Sequence, residues 1–292
     1  LIDLRGNSGG SLYEANKLIG LFISSGATLQ VKQSDGSIRP WGDARAKQIW
    51  NKPLAVMVDR YSASASEIFA GAIQDYQRGI IIGQKTFGKG TVQKLDNLSS
   101  GQIKITESKF YRITGAGMQS KGIHPDITLP STWDVEEVGE SSYDSALPWD
   151  EIKPVRFKKF SMRSSMISQL NDEHLTRVNQ SPNLQYILDI RKRYEIQKNK
   201  EVISLNLINR KNEKEERQSW ALEIENKRRA SLNLETFSSF KAMEDFNDAK
   251  QVEDGEKDYE IDVDNDYLLN EGMQILSDYT IFNKNIYLSM AA

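Results

Sequence analysis

The sequence predicts an α/β unit followed by a mainly helical one, and three observations carry that expectation. Glycine and charge are unevenly spread: residues 1–130 hold 16 Lys+Arg against 10 Asp+Glu and 16 of the 19 glycines. Short apolar runs alternate with amphipathic stretches in that part, the pattern of strands joined through helices. Beyond about residue 160 the chain is polar and acidic, with alternating-sign runs such as Lys214-Glu215-Glu216-Arg217 that suit solvated helix faces. We therefore divide the chain into an α/β core over 1–135, a linker over 136–160 and a helical domain over 161–292.

The elements follow in order. Leu1 to Arg5 reads as a strand that runs into the glycine-rich turn Arg5-Gly6-Asn7-Ser8-Gly9-Gly10. A helix over 11–24 follows, with Ser11 and Glu14 as a capping box and Leu12, Ala15, Leu18, Ile19 and Phe22 on its core face. Thr28–Lys32 and Ser37–Pro40 flank Asp35-Gly36, a hairpin signal. The apolar run Leu54-Ala55-Val56-Met57-Val58 is a buried strand, and Asp59-Arg60 ends it. Ser62-Ala63-Ser64-Ala65-Ser66-Glu67 then opens a helix whose apolar face is Ile68, Phe69, Ala72, Ile73 and Tyr76. Ile80-Ile81-Ile82 is a second buried strand, after which Lys89 stands between Gly88 and Gly90. Ile103–Thr106 and Lys109–Ile113 alternate as strands. In the second half, helix is expected from Leu184 to Arg229, with Val202–Leu207 as a short strand inside it. Glu235–Glu260 is acidic and expected to be mobile in part, and a last amphipathic helix carries Tyr267, Leu268, Leu269, Met273, Ile275, Leu276 and Tyr279.

Composition narrows the function. A net charge of −3 argues against a general nucleic-acid binder, and no apolar run reaches the roughly 20 residues that span a bilayer. With no cysteine there are no disulfides. His124 and His174 are the only histidines and lie far apart in sequence, so neither a zinc site nor any other metal or cofactor is expected. His124, in a loop beside Pro125, is a poor candidate for the base of a Ser-His-Asp enzyme.

A serine at a helix start and a lysine on a bent backbone suggest a different chemistry. A serine hydroxyl attacks a carbonyl once a base takes its proton, and an amine can be that base when neutral. With a reference value near 10.4, about one lysine in two thousand is neutral at pH 7, so the mechanism asks for a dry site. The helix start offers unpaired N–H groups where negative charge develops, Ala65 first. The residues alone fit equally a capping serine whose Glu67 reaches back, and a solvated turn lysine. Asp75 lies about 16 Å along the helix from Ser64, too far for a third catalytic member, and reads as structural.

Ser64-Ala65-Ser66-Glu67 together with Thr86-Phe87-Gly88-Lys89-Gly90-Thr91-Val92-Gln93 resembles the carboxyl-terminal processing proteases, serine peptidases with a Ser/Lys dyad. Ala146-Leu147-Pro148-Trp149-Asp150 and Val202-Ile203-Ser204-Leu205-Asn206-Leu207 are similar to the tail-specific branch of that family, also called Prc or Tsp. The resemblance implies a crotonase-like α/β protease core, truncated at its N-terminal side, followed by the branch's helical C-terminal domain. A PDZ domain, an N-terminal helical region and the first part of the core would precede Leu1 in a complete member.

The family spacing selects Ser64 over Ser62 and Ser66 as nucleophile, with Lys89 as base and Gln93 as the residue orienting it. The Arg5–Gly10 turn resembles the family's second oxyanion donor, carried to the amide of Gly10, with Gly9 as the near alternative, beside that of Ala65. Gln93 can serve only if the backbone bends at Gly88–Gly90. The resemblance further implies a periplasmic enzyme, protein substrates with apolar C-terminal tails and a lipoprotein adaptor.

Overall fold

The computed structural model describes residues 1–42, 47–134, 136–160, 164–256, 263 and 265–291. They form two compact units: residues 1–129, 133–172 and 272–292, and residues 130–132 and 173–271.

The first unit is built on two sheets. One is parallel, with strands β1 (Ile2–Asp3), β4 (Ala55–Val58), β5 (Ile80–Gly83) and β8 (Ile127–Thr128) in that spatial order. Every residue of β4 and β5 is buried, as continuous apolar runs in a parallel sheet require. The other sheet is antiparallel, in the order β3 (Ile38–Trp41), β2 (Leu29–Gln33), β7 (Gln102–Tyr111), β6 (Thr91–Asn97). Helices α1 (Leu12–Gly20) and α2 (Ala65–Asp75) pack in the same core, where Ile19, Phe69, Ile73, Val56 and Ile81 are shielded from water. Leu21 caps α1 and the chain turns away after it, so this helix is shorter than the apolar pattern suggested. The two runs read as separate strands near residue 107 are one strand. Glu107 is the extra residue of a bulge, since Val92 opposes Ser108 while Gln93 opposes Thr106.

The second unit is helical. It contains α4 (Pro182–Lys198), α5 (Leu207–Ser231) and α6 (Phe240–Glu256), with the end of α3 (Ser164–Gln180) and the start of α7 (Tyr267–Ala291). Ser181 caps α4 ahead of Pro182, and Asn206 Oδ1 accepts from Ile208 N–H to cap α5. Buried His174 lies 2.8 Å from Glu271, which also accepts from Arg177. Val202–Asn206 is not a strand: among the described residues no strand pairs with it, and Leu207 already begins α5. The acidic stretch after Glu235 holds α6, while residues 257–262 lie outside the described residues.

Candidate active site

The turn after β4 sets the geometry. Asp59 Oδ1 accepts from Gly6, Tyr61 and Ser62 N–H, so one carboxylate gathers the glycine-rich turn and the approach to α2. Ser62 is fully buried; its hydroxyl lies 2.7 Å from Leu4 O and its carbonyl accepts from Phe87 N–H. Asn7 fastens the turn to the helix start, with its carbonyl accepting from Ala63 N–H and the Ser66 hydroxyl 2.8 Å from its Oδ1. Ser62 and Ser66 are thus committed to holding loops together.

Ser64 stands at the N-cap of α2 with φ 57 and ψ −113, a conformation that costs a non-glycine residue about 1–3 kcal/mol. Its neighbours hold it there. Gly9, at φ 96, lies so close that a Cβ would sit 2.9 Å from Ser64 Cβ and 2.8 Å from Ala65 N, so only glycine fits. Gly9 N–H is spent on Asn7 Oδ1 at 2.9 Å. The amides of Gly10 and Ala65 make no hydrogen bond among the described residues.

Glu67 ties this turn to the lysine loop. One oxygen accepts from Ser64 N–H at 2.8 Å and Lys89 N–H at 2.9 Å; the other accepts from Gly88 N–H at 2.7 Å and the Thr86 hydroxyl at 2.5 Å. Thr86 Oγ1 accepts in turn from Ile123 N–H at 2.7 Å. Burial pushes the Glu67 carboxyl up, and the four donors pull it back toward the ionised form that alone can accept from all of them. Arg60, fully buried, donates to the carbonyls of Thr86 and Val138 and braces the same loop from behind.

Ser64 and Lys89 are therefore joined through their backbones, and no hydrogen bond links their side chains. Lys89 is half-buried. Gln93 lies exposed on β6 just past the bulge and does not bond Lys89. Asp75 is buried against Arg112, whose Nε donates to both its oxygens at 3.0 and 3.2 Å, at the far end of α2. His124 is exposed, and its carbonyl accepts from Gln74 Nε2 at 2.8 Å.

Sequence reasoning saw Glu67 only as the third residue of a capping box. Its bonds to Gly88, Lys89 and Thr86 are long-range, and nothing in the local pattern announces them. Arg60 and Asn7 were missed for the same reason. For Arg60 the one available signal is its charge at the junction of a buried strand and a helix.

Residues 1–129 match the model of peptidase family S41, so the α/β unit is the core of a peptidase family. Residues 133–280 match the C-terminal domain of tail specific protease, and the chain belongs to the tail-specific protease family. It is 38% identical over 303 residues to the tail-specific protease of Haemophilus influenzae, covering 100% of this chain and 41% of that protein. A probable CtpA-like serine protease of Staphylococcus epidermidis is 39% identical over 132 residues, 44% of this chain and 27% of its own. The chain thus spans less than half the length of these relatives. Among solved structures, the photosystem II D1 C-terminal processing protease is 33% identical with a TM-score of 0.39, covering 44% of this chain and 33% of its own.

Proposed function

We propose that this chain carries the catalytic residues of a serine endopeptidase of the carboxyl-terminal processing type. Ser64 is the nucleophile, and Lys89 removes its proton and returns it to the leaving amine. The amides of Gly10 and Ala65 receive the oxyanion, and Gln93 orients the lysine amine. Attack forms an acyl-enzyme on Ser64 that water then hydrolyses. The observation that carries this reading is the Glu67 carboxylate shared by Ser64 and Lys89, which fixes nucleophile and base loops against each other beside two unspent amides. By likeness to the family, substrates are proteins presenting apolar C-terminal tails, delivered in the periplasm with the help of a lipoprotein adaptor.

A second reading, a non-catalytic peptide-binding scaffold, draws on the missing Ser64–Lys89 side-chain hydrogen bond. Such contacts are often loose without substrate and tighten in the complex. A fluorophosphonate probe separates the two. Labelling of Ser64 that disappears in Lys89→Ala supports the peptidase, whereas a folded chain that takes no label supports the scaffold.

A further inference from the structure

The strand that leaves the lysine loop has an open edge. Strand β6 begins two residues after Lys89 and is outermost in its sheet, with β7 on one side and no strand on the other among the described residues. The direction of its backbone groups follows from the turn. Leu98 N–H donates to Gly101 O at 3.0 Å, so that pair is hydrogen-bonded, and bonded pairs alternate with unbonded ones along an antiparallel ladder. With Asp96 opposite Ile103 and Lys94 opposite Ile105 as bonded pairs, the amides and carbonyls of Gln93, Leu95 and Asn97 point to the open side.

Natural edges are usually blunted by proline, by unpaired lysine or by shortness. This one has seven residues and no proline, and Lys94, its single lysine, is neutralised by Asp96 at 2.9 Å. Leu95 is 60% exposed beside it, and the opposing stretch of β7, 102–107, is exposed throughout. The edge is thus a row of backbone donors and acceptors without net side-chain charge that starts two residues after Lys89.

We propose that the outer edge of β6 binds the polypeptide being cut, as an added strand paired through the backbones of Gln93, Leu95 and Asn97. This rests on the peptidase reading and specifies the substrate it takes: an extended, unfolded segment, held without regard to its side chains. Continuity with the candidate site selects this occupant. A chain paired along Asn97 to Gln93 is led toward Gly90 and Lys89, whose N–H shares the Glu67 carboxylate with Ser64 N–H. Backbone pairing also suits an enzyme that must grip many sequences.

Leu95→Pro tests this, because proline removes an amide that faces the open side and leaves the ladder to β7 intact. In the full chain, cleavage of a long fluorogenic peptide should show KM raised about fivefold to tenfold with kcat kept, the loss of one or two peptide hydrogen bonds. Labelling of Ser64 by a small fluorophosphonate, which does not reach the edge, should be unchanged in Leu95→Pro. A matching peptide N-methylated at one edge-facing amide should bind the parent equally poorly, and this arm decides the matter should Leu95→Pro fail to fold. Normal labelling with parental KM for Leu95→Pro, or for the N-methylated peptide, overturns the edge proposal and leaves the peptidase reading standing. Absence of labelling in the parent chain removes both.

Discussion

The backbone amides of Ser64 and Lys89 donate to the same oxygen of Glu67, at 2.8 and 2.9 Å. Two loops 25 positions apart in sequence are thereby registered to within one carboxylate. The left-handed conformation of Ser64 and the turn at Gly88–Lys89 are held by one group, so neither can relax without disturbing the other.

Glu67→Gln tests that coupling. The amide keeps one acceptor oxygen and turns an NH2 toward donors, leaving at least one buried N–H unpaired at about 1–3 kcal/mol each. Urea unfolding should show that loss, and fluorophosphonate labelling of Ser64 should slow by at least tenfold in protein that is still folded. A variant with parental stability and labelling would show that the carboxylate does not organise the site.

Ser64→Ala should abolish labelling and peptide cleavage while moving Tm by only a few degrees, since a lost cap costs about 1 kcal/mol. Lys89→Arg should be equally inactive, because guanidinium does not give up its proton and cannot accept one from serine. Persistent labelling in Ser64→Ala with loss in Ser62→Ala would move the nucleophile to Ser62, against the buried, bonded position of that hydroxyl.

Gln93 is exposed, so Gln93→Ala should leave stability within about 0.5 kcal/mol. If it orients the lysine amine during acylation, labelling of Ser64 should slow severalfold. Unchanged labelling would strike Gln93 from the catalytic set.

Asp75→Asn probes the buried pair with Arg112 at the other end of α2. Arg112 remains partly solvated, its side chain being 18% exposed, so the loss should fall at or below the about 3–5 kcal/mol seen when a buried pair loses one partner. Thermal unfolding reads the effect. A neutral result would mean that Gln74, whose Oε1 Arg112 also reaches at 2.9 Å, and an uncharged acceptor at position 75 satisfy Arg112 without the carboxylate charge.

What the sequence shows of this molecule is what local pattern can encode. The buried runs Leu54–Val58 and Ile80–Ile82 and the apolar spacing Ile68, Phe69, Ala72 and Ile73 are legible as β4, β5 and the helix between them, because these patterns are written in consecutive residues; that α2 is buried on nearly every side is not. Strand β6 was not assigned. Thr91-Val92-Gln93-Lys94-Leu95-Asp96-Asn97 has no buried face beyond Val92 and is ordered by pairing with β7 rather than by its own pattern. Val202–Leu207 erred the other way, since β-branched and alternating residues predict a strand only where a neighbour supplies hydrogen bonds. At the site, Ser64 and Lys89 stood out by type and setting. The carboxylate between them did not, because a capping glutamate looks the same whether it binds one amide or three.

The segment Ala146–Asp150, which reads in sequence only as a family mark, turns out to be a strap across β7. Asp150 accepts from Lys109 and lies 3.0 and 3.1 Å from the Tyr111 hydroxyl, while Trp149 Nε1 donates to Gly117 O at 2.9 Å and Lys121 stands 3.3 Å over its ring. Burial and the Asp150 carboxylate, to which it donates, push the Tyr111 phenol well above its ordinary value near 10. The sign follows from linkage. The native state holds this proton more tightly than the unfolded state, so the stabilisation is fully present below pH 10 and is lost as pH rises through the folded value. Urea unfolding measured from pH 8 upward should therefore show the parent weakening above about pH 10 more steeply than Tyr111→Phe, which has no proton to lose. At pH 8 the order should reverse. Tyr111→Phe should be the less stable there by about 1.5–3 kcal/mol, the range for a hydrogen bond to a charged group, lowered by the partial exposure of Asp150. Parallel curves for the two proteins would mean that the phenol is not held by Asp150 in solution, and that the strap is fastened through Trp149 and Lys109 alone.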